Sequence, residues 1–115
     1  MNCWKGVSLN REIEIKKDLI VKAADAKLAQ EITVLDLGME ADICQAFIIM
    51  TARNINHTRA IADHIEEEAK KAGIALSYRE GYRAGTWILM DMDEIIVHIF
   101  TQKQREYYDL EGLWQ

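Results

Sequence analysis

The stretch from Glu80 to Trp114 leaves this chain few ways to fold. Glu80-Gly-Tyr-Arg-Ala-Gly-Thr-Trp-Ile-Leu-Met-Asp91 is followed at once by Glu94-Ile-Ile-Val-His-Ile-Phe100 and then by Tyr107-Tyr-Asp-Leu-Glu-Gly-Leu-Trp114. Runs at 74–79, 86–91 and 95–100 have strand length, and only tight turns separate the last two. Parallel neighbours need a crossover of a dozen or more residues, so these strands must pair antiparallel. The same stretch holds no recognisable catalytic cluster. A dense local pattern without chemistry points to a surface built for a partner.

Upstream, Ala46-Phe-Ile-Ile-Met-Thr51 is a continuous apolar run, as expected for a strand covered on both faces. Ile32-Thr-Val-Leu-Asp-Leu37 reads as another strand, ending at Gly38, and residues 38–45 read as an acidic loop. Between Arg11 and Gln30, Ile13, Ile20, Val21, Ala24 and Leu28 fall on one side of a helix. A central helix follows the apolar run, with Asn54 or Asn56 as N-cap and Gly73 just past its end. Thr58, Ile61, Ala62, Ile65, Ala69 and Ala72 form its apolar stripe. A last helix is expected over 102–112. Strands on both sides of one central helix predict a single α/β domain over 11–115, with a mixed five-stranded sheet and flanking helices. Residues 1–10 read as a loose leader.

Composition narrows the function. The chain has 115 residues, half of them hydrophobic, enough for one core without staples. Cys3 and Cys44 are too few for a disulfide framework. No apolar run reaches the ~20 residues that span a bilayer, and the N-terminus lacks a signal-peptide pattern, so the expected address is cytoplasmic, with no membrane partner. Fourteen Lys and Arg against 19 Asp and Glu give a net charge of −5. Nucleic-acid affinity rests on cations that neutralise phosphates, so this balance suits a basic protein partner better than direct, sequence-specific contact with RNA or DNA.

Chemical constellations are few. Asp91-Met-Asp93-Glu94 could hold a divalent cation, since carboxylates at i and i+2 of a strand end share a side. A hairpin turn, where Asp is favoured, is the better reading, because the chain lacks a Gly-rich phosphate cradle, its only serines being Ser8 and Ser77. Cys44 with His98 is a weak signal for a nucleophile and its base. His57 and His64 lie two helical turns, ~10 Å, apart, too far to share a metal. His98 inside Ile-Ile-Val-His-Ile-Phe reads as a hydrogen-bonded sheet histidine. In Thr86-Trp-Ile-Leu-Met-Asp91 the period of two puts Trp87 and Leu89 on one face, and Ile88 and Met90 on the other. One face must cover the core. The other is either buried under a terminal helix or left as an apolar interface.

Several pieces then match one family: Val34-Leu-Asp-Leu37, Phe47-Ile-Ile, Arg59-Ala-Ile-Ala-Asp63, Glu80-Gly81 with Gly85-x-Trp87, Val97-His-Ile-Phe100 and Tyr108-x-Leu-Glu-x-Leu-Trp114. In their order and spacing the chain, from Ile32 to Trp114, resembles the ribosomal silencing factors (RsfS, or iojap-like). The resemblance implies a homodimeric α/β protein with a nucleotidyltransferase-like fold, no catalysis, and no cofactor or metal. It implies binding to the large ribosomal subunit through its L-fourteen protein, which obstructs joining of the small subunit. The partner-binding residues expected are Trp87 and Leu89, with Tyr82 and Arg83 of the neighbouring turn. The chain departs from the family pattern at Cys44-Gln45-Ala46, where an acid and an aromatic are lost. It departs again at Thr51-Ala52 and at Asp93, which stands where the family has a turn glycine. The competing reading is a metal-dependent nucleotidyltransferase using Asp91, Asp93 and Glu94.

Overall fold

Eight elements are seen in the computed structural model, which describes residues 2–37, 45–109 and 112, with residues 2–10 as backbone only. In chain order they are α1 (Asn2–Ala26), β1 (Gln30–Asp36), β2 (Ala46–Ala52), α2 (Ile55–Lys71), β3 (Tyr78–Glu80), β4 (Trp87–Asp91), β5 (Ile95–Thr101) and α3 (Gln102–Tyr108). The five strands form one mixed sheet in the order β1-β2-β5-β4-β3. The two apolar runs, β2 and β5, lie side by side at its centre and run parallel, Ala46 opposite Ile95 through Ala52 opposite Thr101. The crossover that parallel pairing demands contains α2. All other pairings are antiparallel.

The sheet sorts its side chains by alternation. On one face Ile48 and Met50 of β2, Ile88 and Met90 of β4, and Val97 and Ile99 of β5 are fully buried against Ile61, Ala62 and Ile65 of α2. Ile13, Ile20 and Ala24 of α1 close the same core. Burying one such isoleucine stabilises the fold by about 1.5–3 kcal/mol, so this layer dominates stability. The opposite face carries a smaller cluster of Phe47, Ile49, Ile96 and Phe100, with Leu35, Leu37, Trp87 and Leu89 packed at its margin.

The helix signals of α2 act where the residues place them. The Asn54 side chain accepts from the His57 N–H at 2.9 Å, and Gly73 at φ +76° lets the Ile74 N–H turn back to the Ala69 carbonyl at 2.8 Å. Several expected boundaries shift. Residues 2–10, expected as a loose leader, are the first turns of α1, in a chain that has no proline to stop the helix. That helix ends at Ala26 and not at Gln30, and Leu28, expected on its apolar stripe, sits at φ 63° in the turn and is 66% exposed. The third strand begins at Tyr78, where the chain first reaches Asp91 of β4, and not at Ile74. The last helix stops at Tyr108 because Asp109 adopts a left-handed conformation, φ 43°, that closes it. The acidic loop expected over 38–45 lies, apart from Gln45, outside the described residues, as do Cys44 and Trp114.

Arg105 anchors α3. Its guanidinium is buried and donates to Thr51 Oγ1 at 2.8 Å, to Thr33 Oγ1 at 3.0 Å and to the Glu31 carbonyl. These bonds straddle the irregular register between Gln30 and Thr33 of β1, where Glu31 takes φ 49°. They hold the short helix against the second sheet face. Among the described residues no helix is long and apolar enough to cross a membrane.

Candidate interaction surface

Strand alternation sets the surface on β4. Ile88 and Met90 point into the principal core, while Trp87 and Leu89 are half-buried on the other face. Neither of the two readings left open for Trp87 describes it fully. The Tyr108 ring of α3 meets its ring at a tilt, 4.5 Å away, and Phe100 of β5 stacks at 5.0 Å, yet Trp87 and Leu89 keep part of their surface exposed. Beside this pair opens a cleft of about 340 Å³ lined by Glu80, Gly81, Thr86, Trp87 and Leu89.

The turn from Gly81 to Gly85 frames that cleft. Both glycines have positive φ, +85° and +77°, and the Gly85 N–H bonds the Gly81 carbonyl at 2.9 Å. A Cβ on Gly81 would strike the Trp87 carbonyl oxygen, so only glycine fits. The first turns of α2 then clamp the loop. Thr58 Oγ1 donates to the Gly85 carbonyl at 2.6 Å, Arg59 Nε to the Tyr82 carbonyl at 3.0 Å, and Arg59 Nη2 to the Arg83 carbonyl.

The four expected partner-binding residues fall into three settings. Trp87 and Leu89 share the second sheet face. Tyr82 packs toward the principal core, its hydroxyl donating to Asp63 of α2 at 2.8 Å and its ring under the Arg79 guanidinium at 4.2 Å. The hydrogen bond to Asp63 raises its phenol pKa above the ordinary value. Arg83 is exposed at the turn's tip. Tyr82 and Arg83 therefore edge the cleft's turn and do not continue the Trp87–Leu89 patch.

His98 is the residue whose part sequence reasoning missed. It is 4% exposed and its Nδ1 accepts the Trp87 indole N–H at 3.1 Å. Phe47 meets its ring edge-on at 4.9 Å, and burial pushes its pKa down to about 4. The expectation of a hydrogen-bonded sheet histidine holds, but the bond runs diagonally, since Leu89 and not Trp87 is its direct neighbour on β4. Apolar flanks in the sequence signalled burial. They carried no signal of the partner.

Asp91, Asp93, Glu94 and His57 each have a structural partner. Asp91 Oδ1 accepts the Asp93 N–H at 2.9 Å, Asp93 Oδ1 accepts from Ser77 Oγ at 2.8 Å, and Glu94 pairs with Lys16 at 2.8 Å. With Asp93 at φ 69°, this is a hydrogen-bonded hairpin turn. His57 Nδ1 accepts the Arg53 N–H at 3.0 Å and its Nε2 meets the Lys27 carbonyl at 2.6 Å, tying the start of α2 to the end of α1. Among the described residues no group of three His, Cys, Asp or Glu is placed to hold a metal ion.

Fold and surface define a small α/β domain that presents an aromatic, half-buried strand face beside a clamped glycine turn. The chain belongs to the ribosomal silencing factor family: residues 10–115 match the model described as "Ribosomal silencing factor during starvation". It is 33% identical to the ribosomal silencing factor RsfS of Halalkalibacterium halodurans, over 84% of this chain and 82% of that one. It is 34% identical to the RsfS of Bacillus subtilis, over 80% of this chain and 78% of that protein. A crystal structure of a Chromobacterium violaceum protein superposes with a TM-score of 0.86 at 28% identity, covering 89% of this chain and 85% of the other.

Proposed function

We propose that this protein is a non-catalytic repressor of translation. It binds the large ribosomal subunit through the L-fourteen protein and, by its bulk, keeps the small subunit from joining. Free of the ribosome it pairs with a second copy of itself. Family membership supports the ribosomal setting. The observation that carries the mode of action is the exposed part of Trp87 and Leu89 beside an open cleft, an anchor-and-pocket arrangement of the kind that dominates protein interfaces. The net charge of −5 fits a basic ribosomal protein as the partner.

Co-sedimentation with purified subunits tests this. The protein pellets with large subunits and stays in the supernatant with small ones. Truncating a central aromatic anchor commonly costs about 2 kcal/mol or more, ~30-fold in affinity. Trp87→Ala therefore weakens large-subunit binding at least ~10-fold while far-UV circular dichroism and a cooperative melt persist. Equal pelleting with both subunits defeats the proposal. Unfolding of Trp87→Ala makes Trp87 a core residue and moves the interface elsewhere.

A further inference from the structure

We propose that His98 is the positioning residue of this surface, its Nδ1 holding the Trp87 indole N–H so that the ring is already set when the partner arrives. The inference rests on the reading of Trp87 as the anchor and names what prepares it.

The argument starts from what His98 does badly. It is almost wholly enclosed, between Phe47 and Phe100, in the middle of the central strand β5. A neutral imidazole has one acceptor and one donor nitrogen. Because Nδ1 accepts from Trp87, the proton sits on Nε2, and that buried atom has no hydrogen-bond partner. An orphaned buried donor works against stability, and an apolar side chain of similar size would avoid it. Histidine at this position is therefore a poor choice for the core alone.

What it supplies is the one acceptor that the Trp87 N–H uses. Phe100, stacked at 5.0 Å, and Tyr108, tilted at 4.5 Å, restrict the indole from its sides, but ring contacts are weakly directional and do not choose where its N–H points. A directional bond selects one orientation. Fixing the indole before binding removes an ordering cost that the complex would otherwise carry. Local loss of stability in exchange for a set geometry is the pattern expected where a site overrides the core.

The experiment compares the parent with His98→Leu, which removes the acceptor, and His98→Gln, which restores one. Three readouts are taken: solvent exchange of the Trp87 indole N–H by NMR, the melting temperature, and affinity for purified large subunits. The indole resonance is assigned by its disappearance in Trp87→Phe. In His98→Leu the indole proton exchanges roughly tenfold faster or more, as expected on loss of its acceptor. The melting temperature holds or rises. Affinity falls roughly three- to tenfold, the share an unfixed anchor forfeits, and His98→Gln recovers much of both losses. A His98→Leu protein that melts well below the parent overturns the proposal, because His98 is then structural. So does an unchanged exchange rate or an unchanged affinity. If Trp87→Ala binds as the parent does, the anchor reading itself has failed, and the exchange data show separately whether the bond to His98 exists.

Discussion

His98 also makes a prediction about acid. Burial pushes its pKa to about 4 from the ordinary 6.5. Between those values the unfolded chain binds a proton that the folded chain refuses, so lowering the pH favours unfolding. The neutral histidine thus leaves stability intact above pH 6.5, and that stability is lost as pH falls toward about 4. The lost proton affinity corresponds to roughly 3 kcal/mol of stability. Urea denaturation at pH 7 and pH 4.5 checks this, with His98→Leu as the control for carboxylates that titrate nearby. The parent loses more stability than the control; parallel losses remove the claim. Asp91 and Asp93 make the opposite kind of prediction. Asp91 accepts one hydrogen bond within the hairpin and Asp93 accepts one from Ser77 ahead of β3, and an Asn side-chain oxygen also accepts each. The double change Asp91→Asn with Asp93→Asn should block subunit joining in a reconstituted translation assay as well as the parent does. A metal enzyme would lose several kcal/mol of transition-state stabilisation, so collapse of function with fold and ribosome binding intact would revive that reading.

At the scale of elements, the glycine turn and the edge of the sheet show what local pattern encodes. Gly81 and Gly73 both have positive φ, yet a Cβ at Gly73 meets nothing while one at Gly81 meets the Trp87 backbone. Gly73→Ala should cost about 1 kcal/mol for conformation alone. Gly81→Ala adds a backbone clash and should cost roughly 2–3 kcal/mol, with a matching loss of large-subunit affinity because the collision is with β4 itself. Denaturation midpoints of the two variants decide it; equal costs would mean that β4 yields freely. Central elements were legible for the same reason that they are stable. β2 and β5 are unbroken apolar runs, α2 is striped and punctuated by Asn54 and Gly73, and the two faces of β4 follow from a period of two. β3 was displaced because Ile74 and Leu76 look like strand residues, though they reach the core from an irregular segment. An edge strand exists only where its neighbour lies, and no local pattern says where that is. The site divides likewise. Trp87 and Leu89 were readable from alternation, whereas Tyr82 was grouped with them by proximity in sequence and turns instead toward Asp63. The Arg59 clamp joins residues 23 apart and the Trp87–His98 bond crosses strands, so neither left a local trace.

Among the described residues the molecule is a one-layer sheet unequally covered. Two long helices, α1 and α2, bury the centre of one face, with Val34 at its β1 margin 39% exposed, and among the described residues the seven-residue α3 is set on the other. Tyr107 and Tyr108 of α3 remain 79% and 44% exposed, and Tyr108 continues the Trp87 ring contact, so the apolar margin runs outward from the second cluster. A patch of this kind on a monomer commonly marks an interface, and the proposed two-fold pairing of identical patches is the commonest way to cover it. Light scattering at high micromolar concentration should report about twice the 13.3 kDa of one chain; 13.3 kDa itself would end the claim. Charge then separates this association from the proposed ribosomal one. Each copy carries −5, so pairing brings like charges together and the apolar contact must overcome their repulsion. Added salt screens exposed charges beyond about 10 Å at 0.1 M and should tighten the dimer. A basic ribosomal partner is attracted by the same −5, so the same salt should slow its association and weaken its complex. Raising ionic strength from low to moderate should therefore move the two equilibria in opposite directions, read by light scattering for one and large-subunit pelleting for the other. If both weaken together, the dimer is held by ion pairs and not by its apolar face.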